Sequence, residues 1–197
     1  FNTPQEIIAG KYPVKNFWII SVDIGFSSVK GVAPNKRFCF PSYVKKMDSS
    51  LMSVDNDDIY YRDNDGMYLI GTKAQDLVRA DDTNDTNSSF DRNRYFTKEF
   101  VILARTAVAI GLMTNEERGN QAQLRPFVQT GLPAAYLKAD APKIKAAFSQ
   151  PGSYDIKIGM GKWMHFENTL KSDDISVMSQ PAGTLNSILF DDNGEPR

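Results

Sequence analysis

The amino-acid sequence predicts an α/β protein, a mixed sheet flanked by helices, and two observations carry that expectation. Three short apolar runs separated by turn residues open the patterned part of the chain as a strand meander. Helical periodicities then alternate with strand-like runs through the remainder. Phe17 to Val22 is β-rich, apolar and too short for a typical helix, so it reads as a buried strand. Gly25 and the following serines mark a turn, Val29 to Ala33 returns as a second strand, and Pro34-Asn35 leads into a third at Arg37 to Phe40.

Ile59 to Arg62 and Met67 to Ile70 flank Asp63-Asn64-Asp65-Gly66, a composition suited to a hairpin turn. Thr72 opens a short helix through Ala80, and the Asp/Asn/Ser/Thr-rich stretch Asp81 to Asp91 reads as a loop. The longest helix is expected where Phe96, Phe100, Leu103, Ala104, Ala107 and Val108 recur at helical spacing, ending near Gly111. Pro126 to Thr130 is a strand stopped by Gly131-Leu132-Pro133. Asp140 is expected to cap a helix that carries Pro142 in its first turn and runs to Phe148. Tyr154 to Ile158 and Lys162 to Leu170 form a hairpin around Gly159-Met160-Gly161. Ile175 to Ser179 is the last strand, and a final helix starts at Gln180-Pro181.

Composition excludes some functions. Lys and Arg number 23 against 24 Asp and Glu, for a net charge of -1. That balance lacks the basic excess of a protein that binds nucleic acid or membrane surfaces through charge, so direct contact with either is not expected. No apolar run approaches the roughly 20 residues of a membrane-spanning helix. Cys39 is the sole cysteine, which forbids an intrachain disulfide and points to a cytoplasmic protein with a small buried hydrophobe at this position. The chain starts at Phe1 and closes on the polar Asp191 to Arg197. Both ends read as cuts in a longer protein.

The candidate site is Asp23-Ile24-Gly25-Phe26-Ser27-Ser28-Val29-Lys30. Asp23 follows an apolar strand where the chain must turn. Gly25 permits positive φ or close approach of the backbone to a ligand. Ser27 and Ser28 add hydroxyls beside the turn amides, Phe26 supplies one of those amides, and Lys30 adds a cation. These groups would cradle a polyphosphate, with Asp23 holding Mg²⁺ through its waters. A strand follows the glycine, so this is neither a Walker loop nor a dinucleotide fingerprint, both of which need a helix there. An ordinary hairpin also calls for Gly and Ser at its tip, and the octapeptide alone leaves both readings open.

Further segments carry a resemblance. Phe40-Pro41-Ser42 follows the third strand, Tyr68-Leu69-Ile70-Gly71 precedes a helix containing Ala74, Thr130 to Pro133 ends a central strand, and Ser179-Gln180-Pro181-Ala182-Gly183-Thr184-Leu185 opens the last helix. With the hairpin, in this order, they resemble the actin-like ATPases of the ParM/StbA plasmid-segregation type, within the actin, sugar-kinase and heat-shock-chaperone superfamily. The resemblance covers residues 17 to about 190. It implies a ribonuclease-H-like domain I with a small inserted subdomain at about 42–95, residues 1–16 as an extension, and a carboxy-terminal ATPase domain outside this chain.

The resemblance further implies ATP and Mg²⁺ as cofactors, self-assembly into filaments, and cargo attachment through a DNA-binding adaptor protein. Gln180 matches the position that orients the attacking water, beside Asp23, and residues 42–95 are the candidate filament surface. The missing half would bring the second phosphate hairpin and the adenosine pocket, so the isolated piece is expected to be inactive. Two alternatives belong to other classes. A small-molecule kinase of the same superfamily needs a carboxylate base opposite the hairpin, for which no residue stands out. A non-enzymatic interaction domain would keep the fold without turnover.

Remaining features read as structural. His165, the sole histidine, lies in an alternating strand without metal-binding company. Asp55 to Asp58 and the loop 81–91 lack the glycine and bidentate Glu of a calcium loop. The sequons Asn84-Asp85-Thr86 and Asn87-Ser88-Ser89 are chance products of composition. Gly159 to Lys162 is a hairpin turn rather than a phosphate loop.

Overall fold

The computed structural model of the chain describes residues 6–7, 17–47, 57–81, 92–113, 125–189, 191 and 195–197. The loop expected at 81–91 beyond Asp81, both sequons, and most of the extension 1–16 lie outside them. Eleven strands and four helices are described. In chain order they are β1 (Glu6–Ile7), β2 (Phe17–Ile24), β3 (Ser28–Ala33), β4 (Lys36–Pro41), β5 (Val44–Lys46), β6 (Ile59–Asp63), β7 (Gly66–Ile70), α1 (Thr72–Asp81) and α2 (Lys98–Leu112). β8 (Arg125–Leu132), α3 (Leu137–Phe148), β9 (Ser153–Ile158), β10 (Met164–Glu167), β11 (Ile175–Ser179) and α4 (Gln180–Leu189) complete the set.

The larger sheet has the order β1-β4-β3-β2-β8-β11. β2, β3 and β4 form the expected antiparallel meander, and β1 adds to its edge by pairing Glu6 with Arg37. On the other side β8 runs parallel to both β2 and β11. The sheet is therefore mixed, with three parallel strands whose carboxyl ends share one edge. β2 alternates as its sequence requires: Trp18, Ile20 and Val22 are buried, whereas Ser21 and Asp23 are exposed on the opposite face.

α2 covers the buried face. It is buried continuously from Phe100 to Gly111, so its burial extends beyond the single stripe that periodicity alone implies. The close fit depends on Gly111, where a Cβ would come within 2.7 Å of Ile20 Cγ2. The Trp18 indole N–H donates to the Gly111 carbonyl at 2.9 Å, and the fully buried Lys36 ammonium donates to the carbonyl of Met113 at the helix end. These bonds satisfy backbone groups that the last helical turn leaves unpaired. At the other end Thr97 caps the helix, its Oγ1 accepting from the Phe100 N–H at 3.2 Å.

Some boundaries differ from expectation for physical reasons. Phe96 is 66% exposed on a 3-10 turn, Arg92–Phe96, and takes no part in the buried helix face. α3 starts at Leu137, because the 3-10 turn Ala134–Tyr136 runs directly into it; Asp140 thus lies in the first turn, buried and bonded to Lys143 at 2.9 Å, instead of capping from outside. β8 continues through Gly131 and Leu132, which still pair with β11. Cys39 is buried, as expected.

The second sheet, β10-β9-β6-β7-β5, combines two distant parts of the chain. β6 and β7 form the expected hairpin around Asn64-Asp65, with Gly66 at φ 133. β9 then joins β6 antiparallel, and β10 pairs with β9. His165 is a strand residue, and its Nδ1 lies 2.9 Å from Asp155, which Arg62 also contacts at 2.7 Å. Arg62 and then His165 hold the Asp155 carboxyl below its ordinary range, against a smaller opposing effect of burial.

Arg105 of α2 ties this sheet to the helix. Its guanidinium donates to Tyr61 Oη at 2.8 Å and to the carbonyls of Pro151 and Gln150 at 2.9 and 3.3 Å. Tyr61 stacks on Tyr154 at 5.5 Å, and Tyr154 on Phe166 at 5.7 Å. Burial pushes the Tyr61 phenol up to about 12, partly opposed by Arg105, so the ring stays neutral and hydrogen-bonding. Replacing Arg105 with Leu is expected to cost about 3 kcal/mol or more in urea unfolding, because its buried partners lose their donor. Arg62→Ala, half exposed, is expected to cost about 1 kcal/mol or less in the same assay.

Candidate functional site

The meander places the candidate hairpin at the carboxyl end of β2. Asp23 stands opposite Lys30 and Ile24 opposite Val29, so the tip is Gly25-Phe26-Ser27. The turn closes through the Gly25 N–H, which donates to the Ser28 carbonyl at 3.0 Å. A Cβ on Gly25 would lie 2.9 Å from that same oxygen. Close backbone approach, and not positive φ, is what demands glycine here.

Neighbouring segments hold the tip from behind. The Ser42 N–H donates to the Ser27 carbonyl at 3.1 Å, and Ser42 Oγ donates to the Gly25 carbonyl at 2.9 Å. Arg94 donates to the carbonyl of Ile24 and, at 3.4 Å, to that of Gly25. Its guanidinium carbon lies 4.4 Å from the centre of the Phe26 ring, which is itself half exposed. Burial lowers the pKa of Arg94, while the charges of Tyr95 and Asp23 act in the other direction. The group remains a cation, as arginine does throughout the physiological range. A pocket of about 50 Å³ lies beside these contacts, with Thr97 and Phe100 among its walls.

In front of the sheet lies a larger cleft of about 730 Å³. Asp23 and Lys30 of the hairpin line it with Gln129, Thr130 and Gly131 of β8, Met178 of β11, and Gln180. Register explains why these residues meet. Val22 pairs with Thr130 across β2 and β8, and Ser179 pairs with Leu132 across β11 and β8. Asp23, Gly131 and Gln180 therefore lie near the same end of three parallel strands, where open α/β sheets bind their ligands. Gln180 is also the first residue of α4. A Cβ on Gly131 would approach Gln180 Cγ to 3.2 Å, so the glutamine stem rests on the β8 backbone.

Of the seven hairpin and helix-start positions read from the sequence, Asp23, Lys30 and Gln180 share the cleft wall. Gly25 and Phe26 line the rear pocket. Ser27 is exposed, and Ser28 starts β3 opposite Pro41. Arg94 was not singled out by sequence, nor was the bonding role of Ser42. The signal was faint: an arginine flanked by Tyr95 and Phe96 just before a capped helix. Arg37 also lines the cleft as a third charged residue.

The donor set suits a magnesium polyphosphate. Asp23 offers one exposed carboxylate, which matches an ion that keeps most of its water, and Lys30 offers a countercharge, with Arg37 on the neighbouring strand β4. Among the described residues no group of three or more His, Cys, Asp or Glu could cage a metal by itself. Among them also, no helix is long and apolar enough to cross a membrane.

A family model described as the actin-like proteins' N-terminal domain matches residues 21–183. The chain belongs to the actin-like proteins. It is also similar in structure to a crystallised apo pSK41 ParM protein, at 18% identity and a TM-score of 0.64, over 90% of this chain and 54% of that one. A 15-stranded ParM filament from Clostridium botulinum matches at 21% identity and a TM-score of 0.63, over 87% and 50% of the two chains. An AlfA filament bound to AMPPNP matches at 16% identity and a TM-score of 0.57, over 86% and 57%. This actin-like chain thus spans about half the length of those structures. A search of curated protein sequences returned no significant match.

The requirement for glycine at the tip gives a direct check. Gly25→Ala is expected to destabilise the fold by about 1–3 kcal/mol through the clash with the Ser28 carbonyl. A urea midpoint unchanged from the parent would show that the turn relaxes freely.

Proposed function

We propose that this chain is the amino-terminal half of a filament-forming, cytoplasmic ATPase that moves plasmid or other DNA segments through an adaptor protein. The single observation that supports the reading most is the shared cleft of Asp23, Lys30, Gly131 and Gln180 at the ends of three parallel strands. The similar structures, filaments among them and one bound to AMPPNP, support it further.

In this reading the tip amides other than that of Gly25, and the Ser27 and Ser28 hydroxyls, donate to phosphate oxygens, and Lys30 offsets their charge. Asp23 holds Mg²⁺ through the ion's water shell, and the ion neutralises phosphate charge when bound. Gln180 accepts a hydrogen bond from the attacking water and orients it without changing its own charge, as glutamine does in small GTPases. A second domain supplies the adenosine pocket and the opposing phosphate contacts. Residues 42–95, which contribute β5 to β7 and α1, supply filament contacts.

The test is made on the intact protein. Pelleting with Mg-ATP, and none without nucleotide, is the expected result; no assembly at high concentration removes the filament reading. Asp23→Ala is expected to weaken Mg-ATP binding about tenfold or more, the loss of a charged contact. Gln180→Ala is expected to slow phosphate release about a hundredfold while leaving nucleotide affinity nearly unchanged. Unaltered turnover in that variant would remove Gln180 from the reaction.

A further inference from the structure

Arg94 is 9% exposed and belongs to the 3-10 turn that precedes α2. It is anchored to the start of that helix, because its own carbonyl accepts from the Thr97 N–H at 3.0 Å and from Thr97 Oγ1 at 2.9 Å. Its side chain then reaches 70 residues back in sequence to the carbonyls of Ile24 and Gly25. The Phe26 and Phe100 rings flank it, with centroids at 4.4 and 5.3 Å. A buried guanidinium fixed to a helix start, bonded to successive carbonyls of a turn, is costly to desolvate. Nothing in a plain hairpin requires it.

We propose that Arg94 is the positioning residue of the phosphate hairpin, clamping the Ile24 and Gly25 carbonyls from behind so that the Gly25 N–H stays on the Ser28 carbonyl and the Phe26 N–H is presented to the nucleotide. This rests on the ATP-binding reading of the hairpin. In a planar trans peptide the C=O and N–H point in opposite directions. The Gly25 carbonyl is held by Arg94 and Ser42, so the Phe26 N–H of the same peptide plane points away from them. Holding the carbonyls therefore fixes the donors before a ligand arrives, which lowers the ordering cost of binding. Both bonds come from one terminal nitrogen, Nη2, and what suits arginine over lysine is the planar guanidinium lying against the Phe26 and Phe100 rings. Arg94 touches no phosphate in this arrangement. It acts through the backbone.

The test compares Arg94→Met, Arg94→Lys and Ser42→Ala in the intact protein, with two readouts. Without ligand, amide hydrogen exchange in Arg94→Met should rise at residues 25–29 and at Ser42, while exchange within α2 from Ile102 to Ile110 stays as in the parent. With fluorescent Mg-ATP analogue, affinity should fall about tenfold in Arg94→Met, with a smaller loss in Ser42→Ala and partial recovery in Arg94→Lys. Hairpin exchange unchanged in Arg94→Met, or exchange raised equally throughout α2, would overturn the proposal by making Arg94 an ordinary helix anchor. If Arg94→Met does not fold, Ser42→Ala decides, since it removes a bond to the same carbonyl. A parent protein that does not bind Mg-ATP would remove the nucleotide reading, whereas the exchange measurement would still judge the clamp.

Discussion

Arg105 occupies the middle of α2, which is buried from Phe100 to Gly111, and the smaller sheet is organised around what it needs. A guanidinium taken out of water is costly unless its donors are met, and among the described residues Nη1 and Nη2 find partners while the buried Nε does not. Tyr61 from β6 meets one, and the carbonyls of Gln150 and Pro151, just before β9, meet others. Asp63 lies 3.8 Å away and is itself bonded to Lys98 at 2.5 Å. Burial alone would push the Asp63 carboxyl up, but Lys98, the Asp65 N–H and Tyr61 together bring it below its ordinary range. The smaller sheet is thus fixed against α2 by a polar network set within apolar packing. Gly152 shows how little room remains, since a Cβ there would come within 2.7 Å of the Arg105 guanidinium.

Once α2 is fixed on that side, its contacts with the larger sheet fix the cleft end of the molecule. Gly111 and Trp18 seat its last turn on β2. Its first turn carries Thr97, and through Thr97 the 3-10 turn bearing Arg94. One rigid helix therefore spans from β2's interior to the back of the hairpin. The candidate site is built from strand ends and one helix start, with its tip held by groups outside the motif.

Much of this was legible in the sequence because it is local. The β2–β3 turn, the β6–β7 hairpin with its Gly66, and the junction at Gln180 each carry their own turn or period signal within a few residues. Asp23 and Gln180 were readable as a pair only through the order of several such segments. What stayed hidden depends on distance. The pairing of β9 with β6 is not encoded in either strand, and Arg94 looks like any surface arginine until Ile24 and Phe26 are brought to it. Asp140 misled because a capping residue and a buried first-turn carboxylate look alike in sequence, and the chain had already turned helical at Leu137.

The smaller sheet also sets an order of events during synthesis. β2, β3 and β4 can pair soon after they emerge, since each neighbour follows within a short turn. β6 pairs with β7 as quickly, but its outer edge waits, as that of β2 waits for β8. The outer partner of β6 is β9, and Arg62 and Asp155 stand 93 residues apart in sequence. At the usual pace of translation the β6–β7 hairpin spends several seconds with Ile59, Tyr60 and Tyr61 on an open edge before β9 leaves the ribosome. Such an edge is a template for pairing with another nascent chain. The edge of the small hairpin therefore stays open to such pairing until residue 158 has emerged, and through that interval a chaperone has an edge to protect.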